Sequence, residues 1–205
     1  ARYMKLPVCI EIAPSGTTAE HLTQEVFIVK KEMKLVLLKK LLEHYHGSIL
    51  LFSRTKHNAR KVTRSIREMG YQAAEIHSNR TLPQRREALE GFKSGKYKVL
   101  VATDIASRGI DVTGIELVLN YDLPEDASNY VHRIGRTGRA GHKGHAISFA
   151  TPEQSQEVQD IEKLIRTSLP VSKHPEMPAA QFYKSSSHSP VSHFSRQRPR
   201  PRGKR

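Results

Sequence analysis

Ile49-Leu-Leu-Phe52 is an apolar run of strand length, and over residues 58–69 behind it Ala59, Val62, Ile66 and Met69 recur at helical spacing until Gly70 ends the pattern. Ala73-Ala-Glu-Ile76 is again of strand length. A strand, a helix and another strand in that order need a crossover connection, which sets the two strands parallel. The same alternation extends in both directions. Residues 26–29 lead into 33–45, where Leu35, Leu38, Leu42 and Tyr45 share a face, and residues 83–92 form a further helix. Strand candidates follow at 99–103, 117–121 and 146–150, with helices near 125–134 and 153–167. The expected fold is α/β, a parallel sheet with helices on both faces.

The pattern has limits along the chain. Pro14 and Gly16 break any regular element, so residues 1–17 read as the end of a linker and a folded unit begins at about residue 18. It runs to residue 169. Residues 170–205 change to prolines, serines, histidines and arginines with few aliphatics, a composition read as a disordered basic tail.

Of 205 residues, 37% are hydrophobic, enough for a real core without staples. The single cysteine, Cys9, excludes an internal disulfide and any cysteine cluster for a metal, and it fits a reducing, cytoplasmic setting. No apolar run approaches the roughly 18 residues of a membrane helix, so no membrane partner is expected. Lys and Arg number 34 against 20 Asp and Glu, a net charge of +14 that favours polyanionic partners, nucleic acid first among them, over a merely solubilising surface. Residues 171–205 carry eight of those cations against one acid, Glu176, so tail and body are both basic.

In a parallel sheet, ligands bind beyond the carboxyl ends of the strands. Ser53-Arg54-Thr55, His77-Ser78-Asn79-Arg80, Thr103-Asp104 and Asp122 fall at four such ends. Their hydroxyls, cations and carboxylates suit phosphate and ribose, or else serve as ordinary helix caps. A second constellation is His132-Arg-Ile-Gly-Arg-Thr-Gly-Arg139. On a helix running through it, Ala127, Tyr130, Val131 and Ile134 make an apolar stripe, and His132, Arg136 and Arg139 lie opposite. That arrangement is either a solvated basic face or a pair of guanidiniums for phosphoryl transfer. Ala106-Ser-Arg-Gly-Ile-Asp111 places Gly109 and Asp111 in a tight turn, suited to close backbone approach and to ribose hydroxyls. Gly91-Phe-Lys-Ser-Gly-Lys-Tyr97 imitates a phosphate loop, but it is one residue short and has Tyr97 where Ser or Thr would meet magnesium, so it reads as a helix end. The eleven histidines make no zinc pattern, and Cys9 has no partner to activate it.

Together, Val99-Leu-Val-Ala-Thr-Asp-Ile-Ala-Ser-Arg-Gly-Ile-Asp111, Asn120-Tyr-Asp-Leu-Pro124 and Tyr130-Val-His-Arg-Ile-Gly-Arg-Thr-Gly-Arg139 resemble the carboxyl-terminal RecA-like domain of DEAD-box ATP-dependent RNA helicases. The likeness covers roughly residues 17–168, with Ile49-Leu-Leu-Phe-Ser-Arg-Thr-Lys56 as a further family motif. It implies a RecA-like fold and the second half of an enzyme that uses ATP hydrolysis to unwind or remodel RNA. Arg136 and Arg139 match the arginine fingers, and His132 matches the residue that couples the two domains. Gly109 and Asp111, with Arg136 and Arg139, match the ATP site; Arg54, Thr55, Ser78, Arg85, Thr103 and Asp104 match the RNA-backbone grip. Two positions depart from the family: Ser78 replaces a glycine, and Leu82 replaces the glutamine three residues before Arg85. No true phosphate loop, Asp-Glu-Ala-Asp or Ser-Ala-Thr motif occurs. In the family these lie on the amino-terminal RecA-like domain, which holds most of the ATP and its Mg2+. The expected partners are therefore RNA and that domain, with the protein a monomer and this chain inactive alone. The alternative is a standalone RNA-binding module of helicase ancestry without catalysis.

Overall fold

A computed structural model describes residues 22–107, 110, 112–138, 144–178 and 180–183. The apolar runs become strands: β1 (Leu22–Ile28), β2 (Ile49–Phe52), β3 (Ala73–Ile76), β4 (Val99–Ala102), β5 (Leu117–Asn120) and β6 (Gly144–Ala150). With β7 (Val171–Ser172) they form one sheet in the order β3-β4-β2-β5-β6-β1-β7, and every pairing is parallel. All the carboxyl ends therefore share one rim.

Alternate strand residues face opposite layers. Ile49, Leu51, Val99, Val101, Leu117 and Leu119 join one core cluster with α1 (Lys34–His44) and α2 (Lys56–Glu68). Leu50, Leu100 and Val118 pack the other way, with α3 (Leu82–Lys93) and α4 (Asp104–Ser107). On that second face, Val26 and Ala146 meet α5 (Ala127–Ile134) and α6 (Ser155–Ile165). The central strands are buried on both faces, and each fully covered Leu or Ile contributes on the order of 2 kcal/mol. The α2 crossover covers one face and the α4 connection the other, which opens a crevice at the end of β2.

Local signals set the helix ends. Thr55 caps α2 by accepting from the Asn58 N–H, and Thr81 with Gln84 forms a reciprocal capping box at α3. The Gly91 to Tyr97 stretch is the expected helix end, with Ser94 at the C-cap and Gly95 at φ +78°.

Two expectations need revision. The helix drawn through residues 132–139 stops at Ile134, with Gly135 at its C-cap and Gly138 at φ +69°, so Arg136 lies in a turn beyond it. The chain also keeps packing past residue 169. β7 pairs with β1, Met177 packs on the first core cluster, Phe182 packs on the third, and the Tyr183 N–H donates to Pro152 O at 2.9 Å. Lys40 and Glu176 pair at 2.5 Å. The rest of the expected tail and residues 1–17 lie outside the described residues.

Candidate functional site

Asp122, just past β5, is the hub of the rim. Its Oδ1 accepts from Lys34 Nζ at 3.0 Å, and its Oδ2 accepts from Ser53 Oγ at 3.0 Å, Asn58 Nδ2 at 2.7 Å and the Arg54 N–H at 3.2 Å. Lys34 also donates to Tyr121 O at 2.7 Å. Burial alone would raise the Asp122 carboxyl, but the Lys34 charge and these hydrogen bonds outweigh it and hold the pKa below the usual value. Burial pulls Lys34 downward, with Asp122 opposing. The turn that presents Arg54 and Thr55 is thereby pinned to β5 and α1.

Arg133 is the second fixed point, and its side chain is 2% exposed. It grips Asp104 with two parallel bonds, Nε to Oδ1 at 2.6 Å and Nη2 to Oδ2 at 2.7 Å. Its Nη1 donates to Asn120 Oδ1 at 3.1 Å and to Asp122 O at 2.7 Å, and the guanidinium stacks 5.0 Å from the Phe52 ring centre. A charge this deep is tolerated only when paired and hydrogen-bonded. Sequence reading passed over it. The available signal was a cation beside Tyr130 and Ile134 at buried helix positions, a place that demands a carboxylate partner.

Of the six residues matched to the RNA grip, Arg54, Ser78, Thr103 and Asp104 line one groove of about 400 Å³. Thr55 lines the adjoining groove, whereas Arg85 lines neither and donates from Nη2 to Ala106 O at 3.2 Å, one residue beyond Ile105 of the first groove. Arg54 and Ser78 are exposed, whereas Thr103 is nearly buried. Asp104 departs from the simplest expectation, since its carboxylate is engaged by Arg133. Beneath Ser78, His77 is fully buried. Burial lowers its pKa, with Glu75 opposing and Arg80 reinforcing. Glu75 pairs with Arg80.

Of the nucleotide-matched residues, Arg136 is described, at another corner of the molecule. Arg136 Nη1 donates to Ile110 O at 2.7 Å, which sets its half-buried guanidinium against the residue between Gly109 and Asp111. Thr137 Oγ1 donates to Ile115 O at 2.5 Å and anchors the same turn. A Cβ on Gly144 would meet Gly138 N at 2.3 Å, so β6 starts directly against this loop. Gly109, Asp111 and Arg139 lie outside the described residues. His132 is exposed on α5. A planar cation held beside a Gly-containing turn fits the phosphate end of a nucleotide. Among the described residues no three His, Cys, Asp or Glu side chains gather that could hold a metal ion.

The comparisons agree with this geometry. Residues 33–141 match the family described as the helicase conserved C-terminal domain. The ATP-dependent RNA helicase DbpA of Bacillus subtilis is 42% identical over 165 residues, covering 80% of this chain and 34% of its own length. The crystal structure of the E. coli DEAD-box protein SrmB, bound to regulator of ribonuclease activity A, superposes with a TM-score of 0.72 at 30% identity, covering 78% of this chain and 98% of that one. The S. cerevisiae Dbp5 structure, bound to RNA and ADP BeF3, gives 0.70 at 31% identity, covering 78% of this chain and 44% of that one. The chain thus spans about a third of the length of its curated relative DbpA.

Proposed function

The chain belongs to the helicase conserved C-terminal domain family in its DEAD-box form, and from that premise we propose that it is the arginine-bearing half of an ATP-dependent RNA helicase. The observation that supports this reading most is Arg133. One buried guanidinium ties Asp104 on the groove to Asn120 and Asp122 at the end of β5, while its own helix leads directly into the Arg136 turn. A shift of the groove is thereby passed to the turn that carries Arg136.

In this reading the groove holds RNA by its sugar–phosphate backbone. Arg54 and Arg85 supply cations, and Thr55, Ser78 and Thr103 supply hydroxyls, so little base sequence is read. A hydroxyl or carbonyl of the groove wall meets a ribose 2′-OH, a contact DNA does not offer. His132 faces the amino-terminal RecA-like domain, and the protein works as a monomer. ATP, when bound between the two domains with Mg2+ held mainly by the other one, supplies the phosphoryl group to be cleaved. Arg136, aimed by Ile110 O, brings a fixed positive fork to the nucleotide; Arg139, Gly109 and Asp111 join it by family resemblance.

The test joins this chain to an amino-terminal RecA-like domain in one polypeptide and measures phosphate release with RNA or DNA. The joined protein is expected to hydrolyse ATP when RNA is added, and the chain alone to release none. Hydrolysis by the chain alone, or equal stimulation by DNA, contradicts the reading.

A further inference from the structure

A second groove opens beside the first along the same rim, and Arg54 lines both. It has a volume of about 650 Å³ and is walled by Lys31, His57 and Lys61, with Thr151 and Gln154 beyond the end of β6. Lys31, His57 and Lys61 are exposed, and among the described residues none of them has an ion-pair partner. Some exposed cations outside the groove are paired, Lys96 with Glu87 at 3.0 Å, Arg64 with Glu68 at 2.9 Å and Lys163 with Asp160 at 3.3 Å. Others such as Lys39 and Lys93 have no ion pair among the described residues, so what marks the groove is that its unpaired cations line one cavity. Two carboxylates do reach the second groove, Asp122 and Glu157. Asp122 is already occupied by its four donors, and Glu157 pairs with none of the groove cations among the described residues. The first turn of α2 contains no acid and holds Lys56, which lines the first groove, so positive charge gathers at the positive end of a helix between the two grooves. Like charges held together without partners are unfavourable until an anion joins them.

The anion must be extended, because the cations are spread along a groove that meets the first at Arg54. Among the described residues no Phe, Tyr or Trp lines the second groove, so contact there is made through charge and not through base stacking. We propose that this second groove takes the sugar–phosphate backbone of the RNA strand where it leaves the first, with Arg54 as the hinge between the two. This rests on the RNA reading above and extends it, since of the family-matched residues only Arg54 and Thr55 line the second groove.

The test compares short and long oligouridylates, about 6 and about 15 nucleotides, bound to the chain and followed by fluorescence anisotropy across a salt series. The variants are Lys31→Ala/Lys61→Ala and a charge-matched control, Lys39→Ala/Lys93→Ala, whose lysines line neither groove. Each lost phosphate contact removes about 0.7 from the salt slope and about fivefold in affinity near 0.1 M salt. The groove variant is therefore expected to bind the long RNA about 25-fold more weakly, with a slope lower by about 1.4, and to bind the short RNA as the unaltered chain does. The control should bind both normally. Unchanged affinity for the long RNA overturns the second groove and assigns its cations to an acidic protein surface. Equal losses at both lengths, or the same loss in the control, overturn it in favour of diffuse charge. An unaltered chain that binds neither RNA overturns the underlying RNA reading as well.

Discussion

Two clusters of buried charge stand at the same rim, and they are completed differently. Around Asp104, Asp122 and Arg133, both oxygens of each carboxylate are engaged and the guanidinium spends bonds on a carboxylate, an amide and a carbonyl. Around Glu75, His77 and Arg80, at the edge strand β3, three buried atoms have no hydrogen-bond partner among the described residues: Glu75 Oε2, His77 Nε2 and Arg80 Nε. An unmet buried polar group costs about 1–3 kcal/mol. The difference teaches where the rim is a rigid frame and where it has slack. The centre, which links both proposed sites, is fully satisfied. The edge, which presents only Ser78, is not.

The comparison breaks most visibly at Arg133. Arg133→Ala removes one of the largest fully buried side chains and strands Asp104, so thermal or urea unfolding should show a loss of about 5 kcal/mol, the upper end for a broken buried pair plus a cavity. Arg133→Lys should recover little, because a point charge cannot meet both Asp104 oxygens while reaching Asn120 and Asp122 O. A loss under about 1 kcal/mol would show that the centre is no frame.

Asp122→Asn comes next, at about 3 kcal/mol, because the shape is kept while Lys34 loses its counter-charge. Unfolding of a Lys34→Met/Asp122→Asn double variant sharpens this. It should be more stable than Asp122→Asn alone, since the stranded ammonium is gone.

The smallest effect separates the clusters by pH. His77 has a folded pKa below its ordinary value of about 6.5, so its protonation favours the unfolded chain. Stability should be flat above about pH 6.5 and fall as pH drops from there through the lowered folded value. Asp122, also lowered, stabilises fully above about pH 4, and its share is lost only as pH falls through its own folded value. Stability measured across pH in His77→Gln should lose the upper limb and keep the lower. Retention of the upper limb would assign it to another group.

Much of this architecture was legible in the chain. Strands such as Ile49–Phe52 are unbroken apolar runs because both faces are covered, and helices such as α2 carry their stripe at 59, 62 and 66. The groove residues sit at strand ends, where parallel topology gathers them without any long-range information. What stayed hidden depends on pairs far apart in sequence. Lys34 and Asp122 are separated by 88 residues and Asp104 and Arg133 by 29, and no periodicity announces either pair. β7 was missed because a two-residue strand is held by backbone bonds, and single apolar residues such as Met177 and Phe182 vanish in a polar average. The stripe carried through Arg136 failed for a local reason already visible in its glycines, which end α5 before the arginine.

The central claim is that Arg136, held at Ile110 and linked through Arg133 to the groove, acts on ATP and not on RNA. The most direct measurement is RNA-stimulated ATP turnover and RNA affinity for Arg136→Ala in the joined two-domain protein, with unfolding followed in parallel. The account predicts a turnover lower by on the order of a thousandfold, about 4 kcal/mol of barrier, with RNA affinity nearly unchanged and no rescue by Arg136→Lys. Near-normal turnover with RNA affinity lost would place that arginine on the nucleic acid and contradict it.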